Sequence, residues 1–115
     1  MEKSVFIKSK AFKIVEVLEY VPKSVLIRSI LKKTTGNISA VSVDSGEFIN
    51  NIISPFETFI QIIDGRAEVV IDGKSNFVET GQSIIIPAHT SNSIKANVRF
   101  KMLSTLIKSG YEELL

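Results

Sequence analysis

Glu79-Thr80-Gly81-Gln82-Ser83-Ile84-Ile85-Ile86-Pro87-Ala88 is the stretch on which the fold is decided. Glycine supplies the backbone freedom of a sharp turn at Thr80-Gly81. The residues from Gln82 to Ile86 then read as a short buried strand, rich in β-branched side chains. Pro87 ends it, because proline has no N–H to give a ladder. A strand this short, closed at both ends by turn residues, belongs to a chain made of many short strands.

Reading outward gives the same grammar. Upstream, residues 67–71 and 75–78 are strand-like and flank Asp72-Gly73, a two-residue hairpin signal whose central positions favour positive φ. Thr58-Phe59-Ile60-Gln61-Ile62-Ile63 is a further strand, which Asp64-Gly65 is expected to close. Residues 48–53 form another, interrupted by Pro55. Ile38-Ser39-Ala40-Val41-Ser42-Val43 alternates apolar and polar with the period of a half-buried strand. It forms a hairpin with residues 24–31 through Thr34-Thr35-Gly36-Asn37. Downstream, residues 93–95 and 98–107 complete the set. Residues 14–18 fit a strand or a helical turn, and the tail from Gly110 fits one helical turn or a frayed end. Many short strands with few helix signals predict an all-β sandwich or barrel.

Composition limits the rest. The chain has 115 residues, enough for a single domain (1–115) with one modest core. Apolar residues make up 44%, with seven phenylalanines and two tyrosines, which suits a folded chain. There is no cysteine, so disulfides and thiolate chemistry are excluded, and one histidine, His89, limits any transition-metal site. Fourteen basic and twelve acidic residues leave a net charge of +2, with no clustered footprint for nucleic acid. The apolar runs are too short to span a membrane. The N-terminus has no secretory signature, so the expected location is cytoplasmic.

Two glycine-bracketed frames carry the most specific signal. The first runs from Gly46 through Ile52, Ser54 and Thr58 to Gly65. The second runs from Gly81 through Pro87 and Asn92 to Ala96. Both spacings resemble the two motifs of the cupin superfamily, over roughly residues 24–107, which are taken as the barrel core. The resemblance implies a double-stranded β-helix: a small antiparallel jelly-roll barrel, commonly dimeric. In that family the positions of Ile52, Ser54, Thr58 and Asn92 usually carry two histidines, a glutamate and a third histidine, which bind a metal. Here they hold a hydrocarbon, two neutral hydroxyls and one amide, with no anionic charge to offset stripping water from a cation. The expectation is therefore no metal and no cofactor at the family position. A shifted site built from His89 and Glu57 remains open, although strand alternation sets Glu57 on the opposite face from Thr58.

Alternation also predicts the barrel lining. Thr58 pointing inward takes Ile60 and Ile62 with it, and Ile52 and Ser54 share that parity. Phe100 and Met102 point inward from the last strand. The expected pocket is Ile52, Ser54, Thr58, Ile60, Asn92, Phe100 and Met102, with His89 at its mouth. Such a lumen suits a small apolar ligand, unless its own side chains fill it. Phe59, Gln61 and Ile63 face outward with apolar neighbours on residues 25–31, which suggests a homodimer.

No catalytic constellation is visible. A metal-independent enzyme wants a paired acid and base, and His89, Glu57, Tyr20 and Tyr111 show no pairing. Three readings follow: a metal-free binding, sensor or accessory module; a structural dimer with a filled barrel; and a metal-dependent oxygenase or isomerase with a non-standard site, which rests on analogy alone.

Overall fold

The structure is a computed structural model that describes residues 6, 8–51 and 53–108. A 3-10 turn, Ile14–Glu16, precedes eight strands: β1 (Val25–Lys33), β2 (Gly36–Val43), β3 (Phe48–Asn51), β4 (Thr58–Ile71), β5 (Lys74–Glu79), β6 (Ser83–Ile86), β7 (Asn92–Lys95) and β8 (Phe100–Ile107). All pairings are antiparallel. The sheet curls because β4 serves both faces. Its first half lies between β8 and β6 in a larger sheet, β1-β2-β8-β4-β6. Its second half lies between β5 and β7 in a smaller sheet, β3-β7-β4-β5.

The expected break at Asp64-Gly65 does not occur. β4 runs through it as one strand of 14 residues, with a register shift against β8 between Ile62 and Asp64. Gly65 takes φ +85° and bends the strand instead of ending it. A Cβ there would lie 2.2 Å from the Arg99 carbonyl oxygen, so the close approach of β8 needs glycine. The neighbouring turn holds the bend: Ile62 N donates to Gln82 O at 3.0 Å and Gly81 N to Ile62 O at 2.8 Å, while Thr80 Oγ1 donates to Gly65 O at 3.0 Å.

The extra residue changes which side chains point inward. Before the shift the buried positions are Ile60 and Ile62; after it they are Ala67 and Val69. One strand thus turns an apolar face to the same interior along its whole length, as a bulge allows and a regular strand does not. These side chains join Val41, Val43, Val78, Ile86, Ile94, Phe100 and Met102 in one core cluster. The Asp72-Gly73 hairpin has positive φ at both central residues, 50° and 81°.

The segment before β1 lies on the outer face of the larger sheet. Its backbone carbonyls accept hydrogen bonds from sheet side chains: Val15 O from Lys101 Nζ (2.8 Å), Val17 O from Arg28 Nη1 (3.2 Å) and Glu19 O from Ser42 Oγ (3.0 Å). Tyr20 donates to Asp64 Oδ2 at 2.5 Å, and the Arg99 guanidinium lies over its ring at 4.3 Å. This cover buries Ala40 and Ser42, so that end of β2 is dry on both faces. Residues 14–18 therefore contribute a single 3-10 turn and an extended cover, not a strand of the barrel. The tail from Gly110 lies outside the described residues. Among the described residues, no helix is long and apolar enough to cross a membrane.

Candidate functional site

The lumen is open at one end, and the β2–β8 ladder shows how. Its inward pairs run Val43–Phe100, Val41–Met102, Ser39–Ser104 and Asn37–Leu106. The first two pairs are buried and the last two only half-buried, so the barrel is sealed at the Phe100 end and opens toward Asn37. Above Met102 lies a cavity of about 430 Å³. Ile60, Thr58 and Ile86 form one side of it, β2 and β8 another, and Ile49, Ile94 and Asn92 of the smaller sheet close over it. That volume lies within the range of small-molecule sites, and so does its mix of apolar wall and a few fixed polar groups.

The structure brings Ser54, Thr58, Ile60, Asn92 and Met102 together on this wall. Two expected members are not found there. Ile52 lies outside the described residues. Phe100 has the inward orientation that alternation predicts, but it sits beneath the floor, fully buried opposite Gly65 and Val43. Its depth is set by where the two faces of the barrel meet, which strand period does not encode.

His89 lies at the rim without lining the cavity. It is exposed, with φ 62°, and its N–H donates to Ser54 O at 2.6 Å. Glu57 is also exposed, and neither His89 nor Glu57 lines the cavity. Tyr20 is occupied on the outer face with Asp64, and Tyr111 lies outside the described residues. Burial, then the bond to Asp64, pushes the Tyr20 phenol well above its ordinary range.

Sequence reasoning missed Asn37, Ser39 and Ser104, all of which face the cavity. The signal was present. Ser39 and Asn37 share the parity of Val41, and Ser104 that of Met102, so extending the two alternations toward the open end finds them.

The donor set does not suit a metal. Ser54 Oγ already accepts the Phe56 N–H at 3.0 Å, Thr58 offers a hydroxyl and Asn92 an amide. No Asp, Glu, His, Lys or Arg is among the described residues lining the cavity. Neutral oxygens without a carboxylate or imidazole are poor ligands for the divalent cations that protein sites hold. Among the described residues, no group of three or more His, Cys, Asp or Glu is placed to share a metal.

Comparison with known proteins bears on the fold. No protein-family model matches the sequence, and no curated protein matches it. A crystal structure of a conserved protein of unknown function from Streptococcus pyogenes superposes with TM-score 0.85 at 26% identity, covering 90% of this chain and 91% of that one. A cupin 2 conserved barrel domain protein from Leptotrichia buccalis superposes with TM-score 0.81 at 28% identity over 84% of this chain, which spans 47% of that protein. Salicylate 1,2-dioxygenase from Pseudoaminobacter salicylatoxidans superposes with TM-score 0.69 at 17% identity, covering 83% of this chain and 28% of the enzyme, a likeness of fold alone. With its two glycine-framed motifs and a curled antiparallel barrel that superposes on these structures, the chain has the cupin barrel fold.

Proposed function

We propose that this chain is a binding barrel, which holds a small, largely apolar molecule in its lumen without a metal and serves as a sensor or accessory module. The observation that carries this reading is the cavity of about 430 Å³, walled by hydrocarbon and neutral oxygen and nitrogen groups. A filled barrel would have no such space, and catalysis by acid and base would need titratable groups that the described wall lacks.

Two measurements test the reading together. Elemental analysis of purified protein is expected to find less than stoichiometric iron, nickel, zinc or manganese after chelation. A fragment screen read by amide chemical shifts is expected to give responses clustered on residues 37–41, 58–60 and 102–106. Retained stoichiometric metal, or a lumen that answers no fragment, overturns it.

We also propose that a second copy covers the outer face of the larger sheet. Leu31, Ile38, Thr105, Phe59 and Ile85 are successive cross-strand partners, so they form one row over all five strands. At the usual strand spacing this row is roughly 19 Å long. Phe59 is 38% and Ile85 56% exposed, and the segment before β1 covers the other end of the sheet. Such a row favours burial by an identical surface. Light scattering at micromolar concentration is expected to give a dimer that Phe59→Glu converts to monomer; a monomeric parent chain refutes it.

A further inference from the structure

We propose that the opposed Ser39–Ser104 pair is the recognition element of the lumen, and that it selects uncharged ring-sized molecules bearing one hydroxyl, carbonyl or amide group. The proposal rests on the reading of the lumen as a binding site and names the class of molecule it takes.

The geometry starts from register. Ser39 and Ser104 are direct partners on neighbouring strands, and Ser104 is in turn the partner of Ile60 on β4. Side chains so opposed have Cβ atoms about 4.5–5.5 Å apart. The two hydroxyls therefore meet the same small volume, one layer above Val41 and Met102. Both line the cavity. Neither makes a side-chain hydrogen bond to another described residue, whereas Ser54 Oγ accepts from Phe56 N–H and Ser42 Oγ donates to Glu19 O. No buried side-chain oxygen or nitrogen among the described residues lacks a partner, so these hydroxyls are open to the cavity and not sealed in the wall.

Chemistry then narrows the ligand. Each hydroxyl is both donor and acceptor, so the pair can give one hydrogen bond and receive another from a single polar group. The layer beneath it is hydrocarbon, which suits an apolar ring placed deeper than that group. A cavity of about 150 Å³ is known to hold benzene, so about 430 Å³ admits a substituted ring. Charge is excluded by what the described wall lacks. An ion entering it gives up its water and meets no opposite charge, a loss that two hydroxyls do not restore.

The test uses the full chain and four ring compounds of similar size: toluene, benzyl alcohol, benzoate and benzylamine, titrated at neutral pH and followed by amide chemical shifts. Benzyl alcohol is expected to shift residues around Ser39 and Ser104 and to bind about tenfold more tightly than toluene. Benzoate and benzylamine are expected to bind at least about tenfold more weakly than benzyl alcohol. Ser39→Ala and Ser104→Ala are each expected to remove most of the preference for benzyl alcohol while leaving toluene binding in place, and retained toluene binding shows that the variants fold. Equal binding of the charged compounds, or an unchanged alcohol preference in both variants, overturns the selectivity and leaves the binding site standing. Failure of all four compounds to shift any lumen residue overturns the binding reading and this inference with it.

Discussion

The two halves of β4 face one interior and treat it differently. In residues 67–71, Ala67 and Val69 are fully buried in one core cluster with Val78 and Ile94. In residues 58–62, Thr58 and Ile60 lie beside their β8 partners Leu106 and Ser104, and all four line open space with Asn92. The inward positions of the closed half carry only hydrocarbon, and close packing there supplies stability. The open half mixes isoleucine with short polar side chains, which leave room and offer hydrogen bonds. The bulge at residues 62–64 lets one strand do both, because it moves the inward parity from even to odd positions.

The largest expected effect comes from breaking the closed end. Phe100→Ala removes the largest fully buried side chain, and the loss is expected to be about 3–5 kcal/mol, read by urea denaturation. Gly65→Ala attacks the junction of the two halves. It forces a side chain into positive φ and against the backbone of Arg99 and Phe100, with an expected loss of roughly 1–3 kcal/mol.

The Tyr20–Asp64 bond beside that junction sharpens the comparison through pH. The phenol's folded pKa is raised above its ordinary value of 10.0, first by burial and then by the carboxylate. Its contribution is therefore complete below about pH 10 and declines above it, because the unfolded chain gives up the proton while the native chain keeps it. The urea midpoint is expected to fall as pH rises above about 10, and Tyr20→Phe to flatten that slope. The smallest effect belongs to the open half. Thr58→Val replaces a half-buried hydroxyl facing the cavity and is expected to change stability by no more than about 0.5 kcal/mol. A loss as large as that for Gly65→Ala would erase the distinction between the halves.

Much of this was legible from residues alone. Alternation on residues 58–63 and 99–102 is a local property of the pleat, and it put Thr58, Ile60 and Met102 on the inner side. Asp72-Gly73 specified its hairpin for the same local reason. Asp64-Gly65 misled because a glycine that bends a strand and one that ends it look alike in sequence. The difference lies in β8, which pairs across the bend. The depth of Phe100 and the opening above Met102 depend on how the two faces converge, a long-range property that no window of residues contains. Ser39 and Ser104 lie on β2 and β8, outside the two motif frames, and only the parity of those strands carried to the open end marks them.

Three of the hydrogen bonds that hold the segment before β1 go to its main chain. Arg28, Ser42 and Lys101 reach out from the barrel and hold the carbonyls of Val17, Glu19 and Val15. Every amino acid presents a carbonyl, so positions 15, 17 and 19 are free to drift in sequence while the attachment persists. The three residues that do the holding carry the specification, and a survey of variants would find tolerance at positions 15, 17 and 19 and intolerance at Arg28, Ser42 and Lys101 beneath them.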